Sequence, residues 1–497
     1  MKRFLIATAI VLALSVTVLA VGSSRVSENE TNVTQVVNIS RGSTKKLDGL
    51  KVKSSITYDQ KLLWETTRNI KTKGSSTEFS CNSSKINRAY NFTEYPPYQI
   101  YARLCDSNDE SDRMTKELKN GESEMIKLKD YFTYYDLYLG ESYVYTSEPY
   151  DIYGATSSNF RPSESKFTLL KIPAEEEDIA EMYCSQSEVD RFVNINFVNI
   201  AHSFESFVVP CDGGLLVSVG FAPRYQPEKS WAPSGFGIWM IPEKVATKTT
   251  ELNHLYEEKI YPSEEAKLVY PLDIENQYVL AMKWSWNKES LFLVTAENGE
   301  AVLRILDGKT FSLQGQLDLG PIGINKDDYG YFSESTQWKE IIVEKVLFDI
   351  VKVRTDENFT AIAIGNSLTV LDKNHKKDFT CQFVNLCSYH IDGEQTFFWQ
   401  DDTTVPKKYK EAALVYSPSD YEYYGDFSEK SIGYKDHMLA IAWYDGSDAL
   451  HLHVYGKEGL IYGERSESSL WGQQGPNGRR GYHYFYIPEN RPEINWE

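Results

Sequence analysis

The chain has 497 residues, of which 52 are Lys or Arg and 71 are Asp or Glu, so its formal net charge is −19. A surface this acidic repels the phosphates of nucleic acids and the headgroups of anionic lipids, which excludes nucleic acid as a partner. Hydrophobic residues make up 41% of the chain, enough for a large core, and its 34 Tyr favour half-buried strands.

The N-terminus has the pattern of an export signal. Lys2 and Arg3 precede an apolar run from Phe4 to Ala20, and a basic start followed by such a run is typical of a signal peptide. The run of about 17 residues also reaches the lower limit for a membrane helix. Residues 1–21 are therefore predicted to be a signal peptide or an uncleaved membrane anchor. In both cases the remaining chain is secreted or extracellular, and it touches a membrane only through an uncleaved N-terminal segment.

A polar segment follows the apolar run. Residues 22–75 are rich in Ser, Thr, Asn and Lys and show only weak hydrophobic patterning. Segments of this composition bury too little apolar surface to fold alone. The sequence therefore predicts a flexible linker over 22–75 and a folded domain over 76–497.

Six cysteines are spread along the predicted domain. An even number of cysteines in an exported chain suggests disulfide bonds. Six buried thiols are the alternative. Proximity along the chain favours the pairs Cys81–Cys105, Cys184–Cys211 and Cys381–Cys387.

Short stretches of alternating apolar and polar residues recur along the domain, separated by turn residues. Such a pattern predicts strands joined as a meander. The first set of four covers 278–283, 290–295, 301–306 and 311–317, and the second covers 348–353, 359–364, 368–371 and 379–384. Similar single stretches, such as "FTLLKIP" and "FGIWMIP", recur at intervals of about 65–85 residues, which indicates repeated small sheets.

The repeated four-strand pattern resembles the blades of a β-propeller of the broad WD40/YVTN-like type. The resemblance is one of architecture, since the sequence has no Gly-His and Trp-Asp pair and no kelch double glycine. It implies an all-β fold of about seven four-stranded blades, with six or eight as alternatives. A pair of β-sandwiches is the rival architecture.

One segment has a helical pattern instead. Leu252, Leu255 and Tyr256 follow one another at helical spacing, with Glu and Lys between them. We therefore predict a helical insertion near 245–259, placed between two blades.

An acidic segment beginning at Asp106 has the spacing of a calcium loop. Oxygen-bearing side chains fall at alternate positions, and Asp106, Asn108 and Asp112 are the candidate ligands. Ca²⁺ prefers such ligands, although Ser111 stands where the sharp turn of the loop favours Gly. A calcium ion is the one cofactor that the sequence suggests, and a solvated acidic loop is the alternative.

Two histidines form a second candidate metal site. His451 and His453 are separated by one residue in a predicted strand, so their side chains point to the same face. A zinc site needs three or four ligands, and this spacing supplies two. Two ordinary strand histidines are the alternative.

Aromatic and acidic residues occur together in several predicted loops. Flat aromatic faces stack on sugars or peptides, and nearby polar groups orient the ligand. Packing of aromatic side chains between blades is the alternative. The candidate ligand-binding residues are Tyr225, Trp231, Trp399, Asp401, Asp402 and Trp471.

No catalytic set of residues stands out in the sequence. Asp401 and Asp402 are adjacent carboxylates, whereas a glycosidase needs two carboxylates about 5–9 Å apart and facing one substrate. The sequence therefore predicts a non-catalytic binding or interaction module that recognises a protein or glycan through loops on one face of the propeller. An extracellular carbohydrate-active hydrolase on the same scaffold is the alternative.

Overall fold

The computed structural model describes twenty stretches of the chain. These are residues 35–58, 62–80, 98–105, 121–130, 134–141, 168–174, 178–186, 191–199, 204–221, 227–245, 260–262, 266–322, 351–365, 367–384, 386–391, 394–399, 431–444, 449–468, 486–488 and 492–496. Among these residues, no helix is long and apolar enough to span a membrane.

The described residues contain thirty-one strands and three short 3-10 helices at Thr44–Lys46, Leu128–Asp130 and Lys229–Trp231. The first ten strands are β1 (Gln35–Gly42), β2 (Leu50–Tyr58), β3 (Leu62–Asn69), β4 (Ser75–Ser80), β5 (Tyr98–Cys105), β6 (Ser123–Lys127), β7 (Tyr134–Glu141), β8 (Thr168–Pro173), β9 (Ile179–Gln186) and β10 (Arg191–Asn199). The next nine are β11 (Phe204–Cys211), β12 (Gly214–Phe221), β13 (Gly237–Val245), β14 (Ile260–Pro262), β15 (Lys267–Pro271), β16 (Gln277–Trp284), β17 (Ser290–Glu297), β18 (Glu300–Asp307) and β19 (Leu313–Pro321). The last twelve are β20 (Val351–Thr355), β21 (Phe359–Ile364), β22 (Ser367–Asp372), β23 (Lys377–Gln382), β24 (Leu386–Ile391), β25 (Glu394–Trp399), β26 (Ser431–Lys435), β27 (Met438–Tyr444), β28 (Leu450–Gly456), β29 (Gly459–Ser468), β30 (Tyr486–Pro488) and β31 (Glu493–Trp496).

These strands form eight sheets in the described part of the chain, most of them built from consecutive strands. Both predicted meanders are present, as β16-β17-β18-β19 and β20-β21-β22-β23. The remaining sheets have the orders β1-β29-β28-β27-β26, β30-β2-β3-β4 with β31 on β2, β11-β12-β13-β14 with β15 on β13, β10-β9-β6, β5-β7-β8 and β24-β25.

The all-β class and the β-propeller type of repeat are confirmed. Consecutive strands pair as meanders of four, the unit of a propeller blade, in place of the larger facing sheets of a β-sandwich. Three of the eight described sheets contain only two or three strands, so the predicted number of blades stays a prediction.

Two sheets combine strands from both ends of the chain. Strand β1 pairs with β29, while β30 and β31 pair with β2. Backbone hydrogen bonds in these ladders therefore tie residues near the N-terminus to residues near the C-terminus.

The predicted linker over 22–75 is wrong for residues 35–75. This segment forms β1, β2 and β3 and the first residue of β4. Leu50, Val52 and Trp64 are fully buried in it, at 0%, 1% and 1% exposure. The composition misled the prediction because the outward positions of β2 and β3 are polar and several inward positions, such as Thr66, are polar as well.

The described residues divide into two compact units, and each unit packs its own sheets. The first unit comprises Met1–Tyr90 with Lys352–Glu497, and the second comprises Asn91–Val351. In the second unit, the sheet of β12 and β13 packs against β8 through one core cluster and against the sheet of β16–β19 through another. In the first unit, the sheet of β26–β29 packs between the sheets of β20–β23 and β2–β4.

Central strands are buried along their whole length, because neighbouring sheets cover both of their faces. All eight residues of β12 and all six of β21 are buried. A strand covered on both sides becomes a continuous apolar run, as in "GLLVSVGF".

The predicted helical insertion near 245–259 lies almost entirely outside the described residues. Val245 is the last residue of β13 rather than part of a helix. The two short strands β14 and β15, which follow the predicted insertion, both pair with β13.

Two of the predicted disulfide bonds are wrong. Cys381 is a buried thiol that faces the core between β20–β23 and β26–β29, while Cys387 lies in the separate β24–β25 sheet. Burial raises the pKa of the Cys381 thiol to about 12, so it is unreactive near neutral pH. Cys211 forms no disulfide bond in the structure either, so the predicted Cys184–Cys211 pair is not present. The Cys81–Cys105 bond stays a prediction, because Cys81 lies outside the described residues.

Candidate functional site

A cleft of about 300 Å³ opens in the second unit, where the sheet of β11–β15 meets the sheet of β16–β19. Its walls combine apolar side chains, two lysines and a carboxylate. The lining residues are Pro210, Cys211, Asp212, Met240, Trp284, Lys288, Gly308, Lys309 and Phe311. We refer to this site as the lysine cleft.

Three turns build the lysine cleft. They are the β11–β12, β16–β17 and β18–β19 turns, which carry Asp212, Lys288 and Lys309. The indole Nε1 of Trp284 donates a hydrogen bond of 2.6 Å to the carbonyl of Pro210. This bond fastens the end of β16 to the β11–β12 hairpin and so fixes the two walls of the cleft.

Local hydrogen bonds hold the β16–β17 turn that presents Lys288. The Ser285 hydroxyl accepts from the backbone N–H of Ser290 at 3.0 Å, and the Asn287 side chain accepts from the N–H of Glu289 at 3.1 Å. Lys288 has a φ of 58°, a left-handed conformation that L-residues adopt only where the surroundings impose it. The lysine therefore extends from a constrained backbone.

A carboxylate that accepts four hydrogen bonds holds the β18–β19 turn that presents Lys309. One oxygen of Asp307 accepts from the backbone N–H groups of Lys309 and Thr310, at 3.0 and 2.8 Å, and from the Thr310 hydroxyl. Its other oxygen accepts from the Gln314 amide at 3.0 Å. The backbone bonds from Thr310 and Lys309 lower the pKa of Asp307, because hydrogen bonds to a carboxylate favour its charged form.

Gly308 brings these two turns into direct contact. Its N–H donates to the carbonyl of Glu289 at 2.8 Å. A Cβ on Gly308 would lie 2.5 Å from the carbonyl oxygen of Lys288. The absence of a side chain at this position therefore allows Lys288 and Lys309 to line the same cleft.

Replacing Gly308 with Ala is expected to lower the free energy of unfolding by about 1–3 kcal/mol, since an added methyl group forces a well-packed site apart. The matched control is Gly315→Ala in the following strand, where a Cβ would meet only the Ile305 side chain at 3.8 Å. Urea unfolding followed by tryptophan fluorescence measures both variants. Equal stability of the two variants would show that the two turns are not held together at Gly308.

An exposed tryptophan lies in the same turn as Lys288. Trp286 is 63% exposed, the largest exposed fraction among the large apolar side chains of the described residues. It follows the cleft residue Trp284 by two positions and precedes Lys288 by two. Leu313, at the start of β19, is 49% exposed. Neither side chain is among the lining residues of the cleft, and single exposed apolar side chains are common on protein surfaces.

The predicted ligand-binding tryptophans that the structure describes are buried. Trp231 is 6% exposed and packs edge-on against Phe221, with ring centroids 6.1 Å apart. Trp399 is 8% exposed and contacts the His453 ring at 5.2 Å. Both rings pack between sheets, as the alternative interpretation expects, and their role in ligand binding stays a prediction.

The two strand histidines are also part of the core. His451 stacks on Trp443 at 5.0 Å, and the Nδ1 of His453 lies 3.1 Å from the Tyr455 hydroxyl. Within the described stretches, no group of three His, Cys, Asp or Glu residues is arranged to hold a metal ion. Both histidines pack within the strand core, and the metal site stays a prediction.

The other predicted site residues lie outside the described residues, and their roles stay predictions. They are Asp106, Asn108, Asp112, Tyr225, Asp401, Asp402 and Trp471.

Sequence reasoning missed the lysine cleft. The segments Asn287-Lys288 and Asp307-Gly308 were recognisable as turn signals, but a turn signal does not show which side chains meet in space. The exposed Trp286, flanked by a serine and an asparagine, was the one local signal for this site.

Comparison with known proteins gives distant structural likenesses. No protein-family model and no curated protein matches the chain. TolB from Acinetobacter baumannii has a TM-score of 0.20 and 9% identity, with 89% of this chain and 82% of that chain covered. Dihydro-heme d1 dehydrogenase NirN in complex with DHE has a TM-score of 0.19 and 10% identity, with 94% and 80% covered. The WD40 domain of SCAP from fission yeast has a TM-score of 0.20 and 7% identity, with 92% and 79% covered.

Proposed function

We propose that the chain is an exported, non-catalytic binding module and that the lysine cleft holds a segment of a partner protein. The observation that carries this proposal is the composition of the cleft, in which apolar side chains lie beside two lysines on constrained turns. Ligand sites are concave, and polar groups within them fix the orientation of the ligand.

Constrained turns favour binding. The hydrogen bonds around Asn287 and Asp307 order both lysine-bearing turns before any ligand arrives. A site that is already ordered loses less conformational entropy on binding, and more of the contact energy remains as affinity.

A peptide side chain suits this cleft better than a sugar ring. Met240 and Phe311 belong to one hydrophobic cluster and line the cleft with apolar surface, which we call the recess. Asp212 is the one carboxylate among the described lining residues. A sugar site needs several acceptors, and a glycosidase needs two carboxylates about 5–9.5 Å apart. The hydrolase alternative therefore has no support at this cleft, and it stays an outcome of the test below.

A combined peptide and glycan array, probed with the full chain, tests the proposal. Met240→Ala is expected to weaken binding of the selected peptides about tenfold, because truncation removes about 1.4 kcal/mol of apolar contact. The matched control is Met125→Ala, since Met125 is 55% exposed and lies on β6, outside the cleft. If Met240→Ala and Met125→Ala bind the selected peptides equally well, the cleft is not the binding site. Release of a cleaved glycan would favour the hydrolase.

A further inference from the structure

The residues of the lysine cleft also indicate which kind of protein segment it binds. We propose that the bound segment is acidic, with an Asp or Glu carboxylate held between Lys288 and Lys309 and a neighbouring apolar side chain in the recess of Met240 and Phe311. This inference rests on the proposed function, because it concerns the same cleft and names the kind of segment that it accepts.

The lining of the cleft is less acidic than the chain as a whole, although Glu289 and Asp307 adjoin its two lysines in sequence. The chain has a net charge of −19, yet the described lining residues carry two cationic groups, Lys288 and Lys309, and one anionic group, Asp212. Like-charged segments are repelled from most of an acidic surface, so a local positive site determines where an acidic segment binds.

The carboxylates that adjoin these lysines in sequence are engaged by other donors. Asp307 accepts four hydrogen bonds from Lys309, Thr310 and Gln314, and in none of them is the donor a lysine ammonium. The Glu289 carboxylate accepts from the Asn287 amide at 2.6 Å. These bonds hold both carboxylates to their own turns. Besides the hydrogen bonds, the charge of Lys309 also lowers the pKa of Asp307, so a carboxylate from outside competes with Asp307 for this lysine.

The fold fixes the backbone positions of the two turns that carry the lysines. Each lysine extends from a hydrogen-bonded turn, and the contact at Gly308 joins the two turns directly. Two ammonium groups on one cleft bind a carboxylate by charge-assisted hydrogen bonds, which are about twice as strong as neutral ones. Because the recess lies beside them, the best ligand carries an apolar residue next to the acidic one.

The test compares two capped peptides on the full chain by calorimetry. One peptide has a Phe between two Glu, and the other has the same Phe between two Gln. The Glu peptide is expected to bind about tenfold more tightly at low ionic strength, and this preference is expected to shrink as salt is added, since exposed charge pairs are screened. The double variant Lys288→Glu with Lys309→Glu is expected to lose the preference.

A charge-matched control separates the effect of the two cleft lysines from the effect of the protein's net charge. The double variant Lys267→Glu with Lys171→Glu makes the same change in net charge at two exposed lysines of the same unit, outside the cleft. It is expected to keep the preference for the Glu peptide. A loss of preference in this control as well would overturn the assignment to Lys288 and Lys309.

The remaining outcomes distinguish this inference from the proposed function. Equal binding of the two peptides, weakened by Met240→Ala, would overturn the acidic segment and leave the peptide-binding cleft in place. Tight binding of a sulfated oligosaccharide, lost in the Lys288 and Lys309 double variant while neither peptide binds, would overturn the peptide as ligand. Absence of binding by every probe would contradict both proposals.

Discussion

Replacing Arg68 with Ala is expected to lower the free energy of unfolding by about 3–5 kcal/mol, because it leaves a buried carboxylate without its cation. The guanidinium of Arg68 on β3 pairs with the carboxylate of Glu464 on β29, and the two residues are 6% and 0% exposed. The Tyr462 hydroxyl donates a further hydrogen bond of 2.5 Å to Glu464. Burial lowers the pKa of Arg68, the expected effect of taking a cation out of water.

Two controls show whether this loss comes from the buried charge. Lys53→Ala removes an ion pair with Glu65 that is about one-third exposed, and it is expected to change stability by less than about 1 kcal/mol. Replacing Arg68 and Glu464 together by Met is expected to restore much of the stability, since apolar groups of similar volume often substitute for a buried pair. Urea unfolding measures all three variants. A loss in Arg68→Ala no larger than that in Lys53→Ala would contradict the prediction.

Replacing Gly237 with Ala is expected to destabilise the protein by about 3 kcal/mol or more, through backbone strain and a backbone clash together. Gly237 begins β13 with a φ of 147°, and a Cβ there would lie 2.0 Å from the carbonyl oxygen of Tyr270. Neither backbone can move without breaking the pairing of β13 with β15.

A control variant at Gly299 separates the effect of backbone strain from the effect of the steric clash. Gly299 lies in the β17–β18 turn with a φ of 82°, and a Cβ there would meet nothing within 4 Å. Gly299→Ala is therefore expected to cost about 1 kcal/mol from strain alone. Thermal unfolding of both variants gives the comparison, and a midpoint for Gly237→Ala equal to that of Gly299→Ala would show that the β13–β15 contact is not tight.

The central strands were predictable because their local pattern and turns agree. The ends of strands β16, β17 and β18 lie within two residues of the stretches predicted for them, since Asn287-Lys288 and Asn298-Gly299 mark the turns between them. In β17, every residue except Glu297 is buried. The local sequence of these strands and turns was therefore enough to predict them.

The N-terminal strands were missed because their inward positions are partly polar. Ser54, Thr66 and Arg68 are 3%, 3% and 6% exposed, and each depends on a partner that is distant in sequence. Arg68 is buried because Glu464 neutralises it, and no local pattern around Arg68 predicts a partner near the C-terminus. The hydrophobic pattern was therefore too weak to distinguish strands from a linker.

The candidate site was missed for a related reason. Trp231 and Trp286 each follow a serine between two strands, yet Trp231 is 6% exposed and Trp286 is 63% exposed. The difference arises from Phe221, which packs against Trp231 from the neighbouring strand β12. Likewise, Cys211, Lys288 and Lys309 line one cleft although they lie far apart in the sequence, and only the packing of two sheets brings them together.

A crystal structure of the full chain with the Glu-containing peptide tests the central claim most directly. We expect a peptide carboxylate within hydrogen-bonding distance of the Nζ atoms of Lys288 and Lys309, and the Phe ring of the peptide against Met240 and Phe311. A peptide bound elsewhere on the protein, with the lysine cleft unoccupied, would contradict the assignment of this cleft as the recognition site.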